Sequence, residues 1–264
     1  MNNESRIEKR EISGKLVVYT VLLGDGFTLP NTIEAKNVDY VCFTDDLELE
    51  ANGWRLKKVA PIFLDDIIRS SREAKVLPHK FLGEYSRSLY IDTRVQLTTD
   101  PNFLWGQLIS NDEDIFGAFY HSFSDTVRHE FHSVEKLGLD DPVRLQEQKI
   151  LYERHYPEIL EQRPIWGGIL ARRHNHADCI RAMEAWYCYI LRYSRRDQLS
   201  LPLALALLSH EKMNVVYGDN HKGEFFFWPT NTFKPDRYYQ YSKSRIARSL
   251  LKLKKRCAVK LGKR

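Results

Sequence analysis

Residues 88–97 read SLYIDTRVQL, an apolar, strand-like run that admits an acid, Asp92, and a cation, Arg94, at its middle. Burying either charge alone is costly, so the pair calls for a use. A carboxylate is a hard ligand for Mg²⁺ or Mn²⁺. A guanidinium is a planar fork that bonds two phosphate oxygens at once. Groups of the same kind recur along the chain. Asp45 and Asp46 end the run DYVCFTDD (39–46). Arg72, Lys75 and His79 follow one another at three and four residues and share one helical face. His121 ends DIFGAFYH (114–121), Asp197 and Gln198 lie in RRDQLS, and Trp166 precedes Gly167 and Gly168. His129 and His132 in HEFH lack a third partner and make a weak metal pattern. GDG (24–26) is a turn, with neither GxGxxG nor a Walker spacing around it.

The elements that must carry these groups follow from hydrophobic period. KLVVYTVLL (15–23), DYVCFTDD, GWRLKKV (53–59), the 88–97 stretch, DIFGAFYH, GGILARR (167–173) and MNVVYG (213–218) read as strands. LDDIIRSSREAKVLPHKF (64–81) has helical spacing, with Asp65 and Asp66 near the N-terminal dipole and Pro78 closing it. DPNFLWGQLIS reads as a short helix capped by Asp100, with Pro101 at its first position. The middle, 123–162, is helical and irregular. HADCIRAMEAWYCYILRYS and DQLSLPLALALLSHEK read as two long helical stretches, with Pro202 in the first turn of the second or kinking it. Strands alternate with helices over the first half. That predicts a largely parallel sheet with helices on both faces and a ligand site at the carboxyl ends of its strands. The loop after Leu23, Asp45 with Asp46, and Asp92 with Arg94 all fall on that edge.

The order of these pieces is similar to one known pattern. YTVLLGDGF, YVCFTDD, GWRLKKV, an Arg72…Lys75…Leu77-Pro78-His79 helix, then LYIDTRVQL followed by Asp100-Pro101 resembles glycosyltransferases of the GT-A fold. More narrowly it resembles a glycosyltransferase-like family related to plant proteins of pectin and mucilage formation and to bacterial polysaccharide enzymes. Gln148…Tyr152, Pro164 with Trp166-Gly167-Gly168, and WYCYILRYSRRDQLSLPLAL agree with it, so the likeness covers about residues 15–230. The resemblance implies a single GT-A-like α/β domain at 15–236, after a polar extension at 1–14. It implies an Asp-x-Asp element that holds a divalent metal against the diphosphate of a nucleotide-sugar, where charge builds on the leaving group. Here Arg94 stands in place of the second acid. Either Asp92 holds Mn²⁺ or Mg²⁺ with another group, such as His221, or Arg94, Arg72, Lys75 or Lys222 neutralise the diphosphate directly. The metal reading is preferred narrowly, because it gives Asp92 a reason to be there. The resemblance further implies donor contacts for Asp45, Arg72, Lys75, Asp92 and Arg94. It makes Asp197 a catalytic acid facing the reaction centre, and a general base if the enzyme inverts. Gln198 and His121 would meet sugar or acceptor, and Trp166 would stack on a sugar.

Composition bounds the rest. The 264 residues are 43% hydrophobic, enough for one large core, and no run is long and apolar enough for a spanning helix. The N-terminus has no apolar segment of a secretory signal, and the four cysteines show no CxxC spacing. The expectation is a cytoplasmic protein with reduced thiols. Residues 237–264 hold eleven Lys and Arg and no acid, although the whole chain carries only +5, so the body is mildly acidic. Ile246, Leu250, Leu253 and Val259 give that tail a basic amphipathic pattern suited to an anionic membrane surface, through 242–264. Aromatic interleaving is absent there, which argues against a nucleic-acid arm. The expected protein is a nucleotide-sugar-dependent glycosyltransferase acting on a glycan or lipid-linked glycan, in bacterial surface polysaccharide assembly, peripheral at the inner face of the plasma membrane. Two other classes stand beside it. One is a nucleotidyltransferase, for which LLGDGFTLP lacks the Gly-rich, Arg-containing loop. The other is a non-catalytic sugar- or nucleotide-binding protein on a GT-A scaffold, motivated by the missing second acid.

Overall fold

The structure is a computed structural model that describes residues 14–24 and 28–228. The basic tail expected at 237–264 and nearly all of the N-terminal extension lie outside the described residues. In chain order the elements are β1 (Leu16–Leu22), β2 (Val38–Thr44), β3 (Arg55–Lys58), α1 (Ile67–Val76), α2 (Pro78–Phe81), β4 (Arg87–Ile91), β5 (Gln96–Leu97) and α3 (Pro101–Leu108). There follow β6 (Phe116–Tyr120), α4 (Val127–Lys136), α5 (Pro142–His155), α6 (Pro157–Glu161), β7 (Ile165–Arg172), α7 (Ala177–Arg192), α8 (Leu201–Leu205), β8 (Met213–Val216) and β9 (Phe226–Phe227).

Seven strands form one sheet in the order β3-β2-β1-β4-β7-β6-β8. β7 alone runs against the others, antiparallel to both β4 and β6. The expected GT-A-like architecture, a mostly parallel sheet flanked by helices, is therefore present. β1 is apolar on both faces because both faces are covered. Val17, Tyr19 and Val21 face a layer containing Ala74 and Val76 of α1 and Ala182, Trp186 and Ile190 of α7. Leu16, Val18 and Leu22 face the other layer, with Leu104, Trp105 and Leu108 of α3. A smaller cluster joins α4, α5 and α6 to Leu199 and Leu203. Cys42 and Cys179 are buried and free, as the spacing suggests.

Three elements depart from the sequence reading. The 88–97 run is two strands, not one. β4 ends at Ile91, and β5 pairs with β9 in a separate two-stranded sheet. The cause is local: Val95 N–H donates to the Asp92 carbonyl at 2.8 Å, and Arg94 N–H donates to Asp92 Oδ1 at 3.1 Å. The chain turns there, so strand alternation does not govern where Asp92 and Arg94 point. The 64–81 helix is broken at Leu77, because Pro78 opens α2 and has no N–H to continue α1. Asp66 is the N-cap of α1, accepting from Arg69 N–H at 3.0 Å. The stretch after residue 197 is not a long helix either. It is a 3-10 turn at Asp197–Leu199, then the five-residue α8 with Pro202 in its first turn.

Gly117 of β6 shows how closely α3 sits on the sheet. A Cβ there would lie 2.2 Å from the Leu108 carbonyl oxygen. Gly117→Ala must push the end of α3 outward, and we expect it to cost about 1–3 kcal/mol in urea unfolding. Gly106 in α3 would meet nothing within 4 Å. Gly106→Ala should instead gain about 0.5–1 kcal/mol from the stiffer unfolded chain. Equal urea midpoints for the two variants would contradict this packing.

Candidate active site

One edge of the sheet collects the carboxyl ends of β1, β2, β4, β6 and β8 together with the start of β7, because β7 is reversed. Asp92 follows β4 and donates its N–H to the Gly168 carbonyl of β7 at 2.8 Å. Beside this junction lies a buried ion pair. The Lys75 ammonium, from the last turn of α1, donates to Asp197 Oδ2. Arg72, one turn earlier, brings its Nε to 3.5 Å from the same oxygen. Lys75 is 3% exposed and Asp197 4%. Gly167 makes the space, since a Cβ there would stand 3.1 Å from Lys75 Nζ and 3.4 Å from Asp197 Oδ2. Tyr90 adds its ring, 4.8 Å from the Lys75 nitrogen.

Burial draws the Lys75 ammonium down to about 8, against the support of Asp197. Burial would also raise the Asp197 carboxyl. The charges of Arg72 and Lys75 overcome it and hold the acid well below the usual carboxylate range. Oδ1 of Asp197 accepts Gln198 N–H at 3.0 Å, so both oxygens are engaged. Such a group is a permanent anion and a poor proton acceptor. The general-base role expected of Asp197 is at odds with this geometry, whereas its place at the centre of the cluster is not.

The motifs picked out in the second half of the sequence converge on the turn that bears Asp197. Trp186 of α7 donates its indole N–H to the Asp197 carbonyl at 3.0 Å. Tyr152 of α5 donates to the Leu199 carbonyl at 2.9 Å, and Gln148 Oε1 accepts Ser194 N–H at 3.2 Å. Asp140 accepts from Ser194 Oγ at 2.6 Å and from Arg195 N–H at 2.8 Å. Arg195 in turn meets Asp66 at 3.1 Å. On the other side, Tyr19 donates to the Lys75 carbonyl at 2.6 Å, and buried Arg172 donates to it at 3.0 Å. Both halves of the ion pair are thus fixed through backbone as well as side chain.

Asp92 and Arg94 face each other. Arg94 Nε donates to Asp92 Oδ1 at 3.3 Å, and the guanidinium lies 4.2 Å from the centre of the Trp228 ring. Asp92 therefore has a structural reason to stop β4 without a metal. It also lies close enough to Lys75 to support the ammonium's charge. Its metal-binding capacity is reduced, because Oδ1 already accepts two N–H groups. His221 turns its ring to Phe123 at 4.7 Å and to Trp228 at 5.5 Å. Among the described residues no group of three or more His, Cys, Asp or Glu could hold an ion. The Asp92–His221 pair expected from the sequence does not make a metal site by itself.

The remaining candidates separate. Asp45 follows β2 directly and accepts Gly24 N–H at 3.0 Å, which ties it to the loop after β1. It shares the edge, but its carboxylate meets neither Lys75 nor Arg72. His121 accepts Phe123 N–H at 3.2 Å and Ser124 N–H at 3.1 Å on Nδ1. Gln198 is buried, with Oε1 accepting from Arg196 at 3.1 Å. Trp166 does not present a sugar platform. It is 4% exposed, stacked on Phe226 at 5.6 Å and folded over Gly168. His79 leaves the shared face because α1 ends before Pro78, and its Nε2 meets Glu184 at 3.4 Å. Lys222 is exposed and makes an isolated antiparallel bridge with Phe227. The sequence reading missed Arg196 and Trp228. Arg196 was overlooked between Arg195 and Asp197 although RRDQLS names it. Nothing local in the sequence separates Trp228 from a core tryptophan, and the pairing of β5 with β9 brings it to Arg94.

Asp197→Asn would leave Lys75 buried without its anion, and we expect a loss of about 3–5 kcal/mol at pH 7 in urea unfolding. The pH dependence has a fixed sign. The acid is depressed, so its contribution is present above the ordinary carboxylate value of about 3.9 and is lost as pH falls below it. The lysine is also depressed. Its charged form costs stability at and below about 8, and the cost is relieved as pH rises toward 10.5. Without Asp197 the ammonium loses support, so the variant should gain stability between pH 7 and 9 more steeply than the wild type. Parallel pH profiles would show that the pair is not buried.

A search of curated protein sequences finds no match. Among solved structures, the chain is similar to the crystal structure of mouse xyloside xylosyltransferase 1 in its apo form, with 11% identity and a TM-score of 0.46 over 76% of this chain and 84% of that one. The profile of the TOD1/MUCI70 glycosyltransferase-like domain matches residues 11–226, from before β1 into β9. That span takes in the break after β4, the Gly167–Gly168 pair and the Asp197 turn, and the chain belongs to the TOD1/MUCI70 glycosyltransferase-like family.

Proposed function

We propose that this edge binds the diphosphate of a nucleotide-sugar and that the protein transfers the sugar to a hydroxyl of a glycan. The observation that carries the reading is Arg196. Among the described residues its Nε is shut from solvent and finds no hydrogen-bond partner, and its side chain donates to the neutral amide of Gln198. Burial lowers its proton affinity, and Arg72 and Arg94 lower it further, while Asp197 and Glu130 oppose them. The anions whose charge it feels are engaged elsewhere, Asp197 by Lys75 and Arg72 and Glu130 by Ser124, so among the described residues this guanidinium has no ion pair of its own. A diphosphate supplies a counter-charge, and it supplies more as the sugar–phosphate bond breaks and electrons collect on the leaving oxygen. Arg72 and Arg94 border the same space. Lys75 and Asp197 set its charge and shape, and Asp197 serves as a fixed anion that offsets the repulsion among the gathered cations. Asp45 lies at the end of β2, where it would meet the base or ribose. His121 and Gln198 remain candidates for sugar hydroxyls.

Calorimetry with a panel of nucleoside mono- and diphosphates tests this. The wild type should prefer a diphosphate, with equal affinity in Mn²⁺ and in EDTA. Arg196→Gln should weaken binding about tenfold, or ~1.4 kcal/mol. Wild-type protein that binds no member of the panel, or a variant that binds as well as wild type, would sink the reading. Release of nucleoside diphosphate from a nucleotide-sugar separates a transferase from a non-catalytic binder, and pyrophosphate release from a triphosphate would mark a nucleotidyltransferase.

The same proposal extends to context. The acceptor is a glycan or lipid-linked glycan in bacterial surface polysaccharide assembly, and the enzyme works at the cytoplasmic face of the membrane. The support is the basic amphipathic pattern of 242–264, in which each Lys or Arg near an anionic surface contributes about 1 kcal/mol. Deleting 242–264 should abolish sedimentation with phosphatidylserine liposomes and leave nucleoside diphosphate affinity unchanged. Equal sedimentation of both proteins would remove the anchor.

A further inference from the structure

We infer that the aromatic strip of Trp228, His221 and Phe123 is the acceptor subsite and that it takes the pyranose rings of a glycan chain. The inference rests on the transferase reading above. The strip begins at the donor edge, where the Arg94 guanidinium lies 4.2 Å from the Trp228 ring. It runs from Trp228 to His221 at 5.5 Å, from His221 to Phe123 at 4.7 Å, and from Phe123 to His121 at 5.7 Å. Phe123 is 55% exposed, a large ring left in water where burial would be favourable.

The strip is held rigid by polar bonds behind it. Buried Asn220 accepts Ser122 N–H at 2.7 Å and donates to the Tyr120 carbonyl at 3.1 Å, which ties the loop after β8 to the loop after β6. His121 Nδ1 accepts two backbone N–H groups, so its proton sits on Nε2, and burial keeps the ring neutral. The surface therefore offers a run of aromatic rings turned edge to face or tilted, with exposed Phe123 and His221 among them and a neutral N–H donor beside them. A pyranose has the matching chemistry: an apolar C–H face that lies on an aromatic ring, and hydroxyls at its rim that take hydrogen bonds. A lipid chain would find imidazoles in its path. Continuity with Arg94 and Asp92 would bring the end of the glycan to the donor sugar.

The probe is an array of neutral α- and β-linked gluco-, galacto-, xylo- and arabino-oligosaccharides, read against wild type and a Phe123→Ala/His221→Ala variant of the full chain. Wild type should retain at least one oligosaccharide, the variant should bind it about tenfold more weakly, and nucleoside diphosphate affinity should be equal in both. Equal oligosaccharide binding by the two proteins overturns the inference, as does a wild type that binds nucleoside diphosphate but no oligosaccharide. A parallel loss of nucleoside diphosphate affinity in the variant would assign the strip to the donor and also overturn it. So would a variant that loses self-association in sedimentation velocity while sugar binding persists. Oligosaccharide binding that depends on Phe123 and His221, in a protein that binds no nucleoside diphosphate, would instead fault the donor reading alone.

Discussion

The buried ion pair between Lys75 and Asp197 sets the terms for everything around it. Two charges at 3% and 4% exposure are stable only with close geometry and further hydrogen bonds. Each requirement is met by a different part of the chain. α1 brings the ammonium, and Tyr19 and Arg172 hold the carbonyl of the same residue from the sheet. The turn after α7 brings the carboxylate, and Trp186, Tyr152 and Gln148 hold its backbone. Gly167 admits both heads because it has no side chain. The reversed strand β7 puts that glycine at the same edge as Asp92.

The functional reading follows from what this arrangement leaves unbalanced. The anion of the pair already serves Lys75 and Arg72. Asp92 serves Arg94 through its side chain and backbone bonds. Arg196 feels Asp197 but does not pair with it, and its side-chain bond goes to the neutral amide of Gln198. A site of this kind favours an anionic ligand, and it favours one whose charge grows during reaction. In the proposed donor role, guanidinium groups would offset the charge of a diphosphate directly.

Much of this was readable from the residues. β1, β2 and β6 follow from β-branched and aromatic runs, β3 from the alternation in GWRLKKV, and the Asp100 cap of α3 from the Asp-Pro pair. Arg72, Lys75, Asp92, Arg94 and Asp197 were named from spacing and resemblance, and the structure brings Arg72, Lys75 and Asp197 together. What escaped was long-range. Nothing local says that Arg94 turns back on Asp92, because an Asx-type bond and a strand continuation have the same composition. Trp166 and Trp228 are both tryptophans near glycines, and only the pairing of β5 with β9 decides that the first is covered and the second half-exposed. Gln148 and Tyr152 stood out as a motif with no assigned task. The task is a backbone bond made 47 residues away.

That separation bears on how the protein comes to be assembled. The partners of the ion pair lie 122 residues apart, and the sheet places β7 between β4 and β6. During synthesis, β1 to β4 and α1 emerge long before the strand and turn that complete the edge. The early half therefore carries a lysine destined for burial with no anion to meet it, and a sheet whose β4 edge is open. High contact order of this kind slows folding and lengthens the life of intermediates with exposed edges. The candidate active site is then among the last features to form, and its ion pair joins an early segment of the chain to a late one.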